Sequence, residues 1–282
     1  MKYRFLFFPF LVFALLLNAC QEPIQEPQVL KNVKYGAHDR NIMDVYLPKG
    51  RNKKTPFIVL IHPGAWMSGE KEILSTMADS LFQNGIAVAN INTRFTSENT
   101  DINVILEDID SVFRYCKLQS AAWHTRNNDF AIGGSSSGGH LSLMYAYTRQ
   151  SLQKITAVIA FATPGNVADT AWLHAMVEKD ITDKVGWMCG KQYVVGTSPD
   201  SAFYKYSPIY NIKNVPTLLF HGDKDDVVPY WQAEKMLQAL QSRNVPSKLF
   251  TLTGLGHVIG YQDPQLFARE VQEMKQWLYK YN

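Results

Sequence analysis

The sequence predicts an α/β protein built on a doubly wound, mostly parallel sheet, with one irregular insertion ahead of a late core strand. Three observations carry this. Short apolar runs alternate along the chain with stretches of helical periodicity, the pattern of strands joined by crossover helices. Runs such as Phe57-Ile58-Val59-Leu60-Ile61 are apolar at every position, as expected of strands buried on both faces. Finally, Gly134-Ser135-Ser136-Ser137-Gly138 stands between a short strand and a helical stretch, where a chain can turn sharply with serine at the apex.

Taken in order, residues 29–35 and 42–47 read as two strands with Asp39-Arg40-Asn41 turning between them. The buried strand 57–61 ends in His62-Pro63-Gly64-Ala65-Trp66. A helix over 73–83 is stopped by Asn84-Gly85, and 86–91 is another buried strand. Ile102, Ile105, Leu106, Ile109, Val112 and Phe113 form a helical stripe. A strand ending near Ile132 then leads through the serine turn into a helix over 138–147. Residues 155–161 and 217–220 are strands, and the insertion, about 163–210, lies between them and is rich in large side chains. Ala233, Met236, Leu237 and Leu240 mark a helix, 248–252 a strand, and Phe267, Val271, Met274 and Leu278 the last helix. No internal repeat is present.

With 282 residues and 46% hydrophobic content, the chain is long enough for one large core. A formal charge of +3 with scattered basic residues gives no nucleic-acid footprint. The first segment stands apart. Lys2 and Arg4 precede an apolar run at 5–17 that is short for a membrane span, and Leu17-Asn18-Ala19-Cys20 follows. This resembles a bacterial lipoprotein signal: 1–19 is removed and Cys20 is lipidated, with an ordinary secretory peptide cut near Ala19 or a short uncleaved anchor as the alternatives. Residues 20–28, polar and proline-containing, read as a tether, and 29–282 as the domain. Cys116 and Cys189 remain, with no framework pattern to say whether they pair.

A serine hydroxyl is a weak nucleophile near neutral pH. It needs a positioned base, and the base needs an orienting acid. His221-Gly222-Asp223-Lys224-Asp225-Asp226 follows one core strand, and Gly254-Leu255-Gly256-His257 follows the next. Both would lie at the carboxyl edge of the sheet, where sites of open α/β folds form. Any of Asp223, Asp225 and Asp226 can serve as acid on this ground alone. Acyl transfer also needs N–H donors for a developing oxyanion, and the small-residue turn after 57–61 can supply them.

Together, HPGAW, GSSSGG, HGDKDDVVP and GLGH occur in the order found in the α/β-hydrolase superfamily. From residue 29 onward the chain resembles its esterase/lipase group, which includes hormone-sensitive-lipase-like enzymes and bacterial feruloyl or acetyl esterases. The resemblance implies Ser136 as nucleophile, His257 as base and Asp225 as acid, with the backbone N–H groups of Gly64, Ala65 and Ser137 as oxyanion hole. Pro63 and Ala65 stand where the family has glycines, and Ala65 is expected to narrow the acyl side.

Trp66, Trp172, Trp187 and Tyr204 are candidates for a substrate surface, the alternative for each being core packing. His62 and His221 are expected to bond nearby backbone, and His140 is unassigned. No metal-ligand spacing or phosphate loop appears, so no cofactor is expected. The expected protein is an exported, lipid-anchored serine esterase acting on small acyl esters of carbohydrates. It has no nucleic-acid partner and touches the membrane only through its anchor. Rival readings are an aminopeptidase-like or arylformamidase-like hydrolase and a non-catalytic glycan-binding lipoprotein.

Overall fold

The computed structural model describes residues 24–150 and 154–282, so the readings on 1–19 and on Cys20 lie outside the described residues. Among the described residues, eight strands form one sheet. They are β1 (Gln28–Lys34), β2 (Ile42–Leu47), β3 (Phe57–Ile61), β4 (Ala87–Ile91), β5 (Phe130–Ser135), β6 (Ile155–Phe161), β7 (Thr217–Gly222) and β8 (Ser247–Leu252). Their spatial order is β1-β2-β4-β3-β5-β6-β7-β8. Only the β1–β2 and β2–β4 pairs are antiparallel; from β4 onward the sheet is parallel.

The pleat explains the unbroken apolar runs. In β3, Phe57, Val59 and Ile61 face one core while Ile58 and Leu60 face the other. The first core is covered by α2 (Ile102–Trp123), α3 (Ser137–Thr148) and α8 (Trp231–Gln241), the second by α1 (Ser75–Gln83) and α9 (Pro264–Tyr281). Between β6 and β7 the insertion folds into α4 (Thr170–Glu178), α5 (Thr182–Cys189), α6 (Ser201–Lys205) and α7 (Pro208–Asn211).

Several boundaries differ from the sequence expectation. The helix placed at 73–83 opens with a 3-10 turn, Lys71–Leu74, and is α-helical only from Ser75. α2 outruns its apolar stripe by ten residues, because its N-cap (Asp101 Oδ1 accepts from Asn103 N at 2.9 Å) and its left-handed C-cap His124 set its ends. α3 shows no stripe at all, since it is buried on every face. Near the start, Gln25 O accepts from Gly50 N, Glu26 O accepts from Arg51 Nη1, and Gln28 already belongs to β1. The last part of the tether is thus docked on the domain. Cys116 and Cys189 are buried free thiols.

Candidate active site

Ser136 sits between β5 and α3 at φ 53°, ψ −119°, a conformation a serine adopts only under constraint. The constraint comes from both flanks. Its N–H donates to Phe161 O at 2.7 Å. A Cβ at Gly134 would lie 2.4 Å from Ile61 O, and one at Gly138 would lie 2.1 Å from the same oxygen. The start of α3 is therefore pressed against the end of β3, and only glycine fits two residues either side of the serine.

The three residues implied by the motifs converge at the carboxyl edge of the sheet. His257 Nε2 lies 2.9 Å from Ser136 Oγ, and His257 Nδ1 lies 2.7 Å from Asp225 Oδ2. Asp225 is well supplied with donors. Its Oδ1 accepts from Val227 N (2.9 Å) and Val228 N (2.8 Å), and Oδ2 also lies 3.2 Å from His221 Nε2. Burial alone would raise this carboxyl, but the bonds from His221, His257 and Val228 outweigh it and hold the group well below the usual carboxylate range. Asp225 is therefore ionised at neutral pH. Its neighbours do other work: Asp223 accepts from Gly254 N at 2.7 Å, and Asp226 pairs with Lys179 at 3.2 Å on the surface.

Just past the end of β3, which is pressed against the start of α3, three successive residues of the β3–α1 turn take positive φ: Gly64 at 136°, Ala65 at 49° and Trp66 at 63°. For alanine and tryptophan this is unusual and must be enforced. Gly64 O accepts from Met67 N, Ser68 N and Ser68 Oγ at 3.1, 2.9 and 2.8 Å, and Trp66 O accepts from Thr96 N at 2.9 Å. Among the described residues the N–H groups of Gly64, Ala65 and Ser137 take no protein acceptor, and that of Ser137 is the first of its helix.

Between this turn and α3 lies a connection the motifs did not announce. Trp66 Nε1 donates to His140 Nδ1 at 3.1 Å, and His140 Nε2 donates to Tyr206 O at 2.8 Å. Burial lowers the His140 pKa to about 4, so the ring stays neutral with its proton on Nε2. One imidazole thus ties the turn, α3 and the insertion together. As expected, His62 Nδ1 donates to Pro63 O (2.8 Å) and His221 Nε2 to Val228 O (2.7 Å).

A cavity of about 380 Å³ opens beside Ser135 and His257, walled by Pro63, Ile73, Leu255, Val258, Ile259 and Tyr261. None of the four aromatic candidates lines it. Trp66 and Trp172 are 5% and 3% exposed, each with its indole N–H satisfied inside, Trp172 by Val227 O at 3.1 Å. Trp172 thereby braces the loop that carries Asp225. Trp187 borders a separate cleft with Glu98 and Lys191, and Tyr204 packs against Tyr210 on the surface. Trp172 instead packs the insertion onto the sheet, where a large ring on a short helix covers more apolar area.

The wall comes instead from the loop after His257. It is held from behind by Glu270 of α9, fully buried, whose two carboxylate oxygens lie 3.1 and 3.2 Å from Gly260 N. Burial raises Glu270 to about 7 despite that bond. A glutamate inside an ordinary amphipathic pattern gave no sign of this in the sequence.

Strand order, strained serine and charge-supported histidine define an α/β hydrolase. The chain belongs to the BD-FAE family, whose sequence model matches residues 43–240. Among curated proteins it is 26% identical over 256 residues to a probable isoprenylcysteine alpha-carbonyl methylesterase of Oryza sativa, covering 86% of this chain and 61% of that one. It is 25% identical over 244 residues to esterase LipC of Mycobacterium tuberculosis, covering 80% and 59%. The chain thus spans about three fifths of the length of these relatives. Among solved structures, a truncated carbohydrate esterase from gut microbiota superposes with a TM-score of 0.72 at 22% identity, covering 89% of this chain and 96% of that one. Esterase B of Lactobacillus rhamnosis gives 0.72 at 18% identity, covering 92% and 90%. These likenesses show a shared fold.

Proposed function

We propose that this protein is a serine carboxylic-ester hydrolase working through an acyl-enzyme on small acyl esters of carbohydrates. The observation that carries the reading is the continuous chain from Asp225 through His257 to Ser136, at 2.7 and 2.9 Å. His257 Nε2 takes the proton as Ser136 Oγ bonds to the ester carbon, and the carbonyl oxygen becomes the oxyanion. The N–H groups of Gly64, Ala65 and Ser137 receive that charge. When the intermediate collapses, the ester C–O bond breaks and His257 gives its proton to the leaving alkoxide. Water, deprotonated by His257, then releases the acid and restores Ser136. Asp225 fixes the Nδ1–H tautomer and stabilises the imidazolium.

The substrate class draws on two supports. A cavity of about 380 Å³ lies at the lower end of the range for small-molecule sites, roughly 300–1,000 Å³. A structural neighbour is a carbohydrate esterase. Fluorophosphonate labelling at Ser136 tests the mechanism, and acyl-nitrophenol esters beside acetylated glycans test the substrate. Acetyl and propionyl esters should turn over faster than octanoyl, in a graded series, with acetate released from a glycan. Faster octanoyl cleavage with no acetate release would turn the reading to a lipase. We also infer from Leu17-Asn18-Ala19-Cys20 that the protein is exported and acylated at Cys20.

A further inference from the structure

We propose that the edge of the sheet where the chain enters the domain is a membrane-facing surface, resting on an anionic phospholipid bilayer and turning the catalytic edge away from it. The proposal rests on acylation at Cys20 for its anchor and on the fold for its orientation.

The register fixes which edge this is. Gln28 of β1 pairs with Leu47 of β2, Tyr46 pairs with Val88 of β4, and Ala87 pairs with Phe57, the first residue of β3. Gln28 is therefore level with the amino ends of the parallel strands. Ser136, Asp225 and His257 follow the carboxyl ends of β5, β7 and β8. The two edges are separated by the length of the strands, roughly 20 Å for six residues.

The leash is short. Gln25 O and Glu26 O are bonded to Gly50 N and Arg51 Nη1, so the fixed part of the domain reaches back at least to Gln25. Five peptide steps separate Cys20 from Gln25, a reach of at most about 18 Å. An acyl group buried in a bilayer at Cys20 leaves this edge within that distance of the lipid headgroups.

The chemistry of the edge suits that neighbour. A cleft of about 690 Å³ gathers Ile24, Lys53, Lys54, Ala121 and His124. α2 leaves the carboxyl end of β4 and returns to the start of β5, so its last two turns lie at this same edge and present Lys117 and Leu118. Lys53, Lys54 and Lys117 are exposed, and none has an acidic partner among the described residues. Glu26 is answered by Lys49 at 3.9 Å and Asp129 by Lys154 at 2.6 Å, so neither neutralises the three lysines. Ile24 is 69% exposed and Leu118 80% exposed, the latter the most exposed large apolar residue described. Basic side chains around protruding apolar ones match an anionic headgroup layer, at about fivefold in affinity per lysine. The consequence is functional: the cavity at His257 opens toward the surrounding compartment and takes soluble or polymeric esters rather than lipids from the supporting membrane.

The test uses the acylated full chain, purified from membranes and returned to vesicles of phosphatidylethanolamine and phosphatidylglycerol. A fluorophore is attached through Leu118→Cys or, at the catalytic edge, through Val258→Cys; Cys116 and Cys189 are buried and react little. Nitroxide-bearing lipids should quench the probe at position 118 at least fivefold more than that at 258. Adding Lys53→Glu, Lys54→Glu and Lys117→Glu should bring the two toward equality while leaving hydrolysis of a soluble nitrophenyl ester unchanged. Equal quenching in the otherwise unaltered acylated chain, or stronger quenching at 258, overturns the orientation. A mass spectrum with no acyl group on Cys20 overturns the anchor and the proposal with it, while ester hydrolysis by the same sample reports separately on the active site.

Discussion

Asp225 shows how much of the site is decided by single side chains. Three aspartates crowd the turn after β7, yet only one meets His257, at 2.7 Å. Asp225→Asn should lower kcat by roughly 10⁴-fold through loss of the correct histidine tautomer. Asp223→Asn and Asp226→Asn should cost less than about tenfold, because those carboxylates serve a backbone N–H and a surface lysine. Steady-state rates of the three variants on one nitrophenyl ester check this, and equal losses would leave the acid unassigned. His140 acts at the same scale as a positioning residue. His140→Leu strands Trp66 Nε1 and Tyr206 O in the interior, and a turn displaced by even an ångström can lower turnover about 10²-fold. We expect kcat to fall by that order with KM nearly unchanged. Affinity for a trifluoromethyl ketone, whose adduct places an oxyanion in the hole, should fall in parallel, and His140→Gln should recover part of both. A loss confined to thermal stability would make the residue merely structural.

At the scale of elements, the loop between β8 and α9 has two duties: it carries His257 and walls the cavity. Its support from α9 carries a pH dependence. Glu270 rises from 4.5 to about 7 in the fold, so between these values the folded state holds a proton that the unfolded state has lost. Stability from this group is full below about pH 4.5 and declines as pH rises toward 7, by roughly 3 kcal/mol in all. Glu270→Gln keeps an acceptor for Gly260 N and removes the charge. Urea midpoints should therefore show the variant close to the parent at pH 5 and more stable than it at pH 8. A constant difference across that range would mean Glu270 does not titrate there. Asp225 behaves oppositely: its depressed pKa contributes stability above about pH 4 that is lost only as the pH falls through the lowered value.

For the whole molecule, the topology separates the edge where the chain enters the domain, which holds the start of β1, from the edge that holds the three catalytic candidates. Vesicle-bound and detergent-released enzyme should therefore cleave a soluble acetylated glycan with the same kcat/KM, within about twofold. A tenfold penalty on the vesicle would mean the cavity faces the lipid.

What the amino-acid sequence determined by itself was the local grammar. Apolar runs of strand length, helical stripes and turn residues are short-range properties, and they gave the strand–helix alternation and the strand ends to within a few residues, though not the far end of α2. Ser136, Asp225 and His257 were legible because each sits in a motif whose neighbours are dictated by backbone geometry, such as Gly134 and Gly138 pressed onto Ile61 O. The surroundings of the four aromatic candidates were not legible, because a tryptophan looks the same in sequence whether it faces a cavity or, like Trp172, packs inside against the loop of Asp225. His140 and Glu270 were beyond reach for a related reason. Their partners lie at Trp66 and Tyr206, and at Gly260, and these meet only when the sheet has ordered its strands and the helices have closed over it. Which edge carries the chain entry was likewise settled by register, a long-range pairing that no stretch of sequence states. Periodicity and turn chemistry act over a few residues; burial and contact across the fold do not.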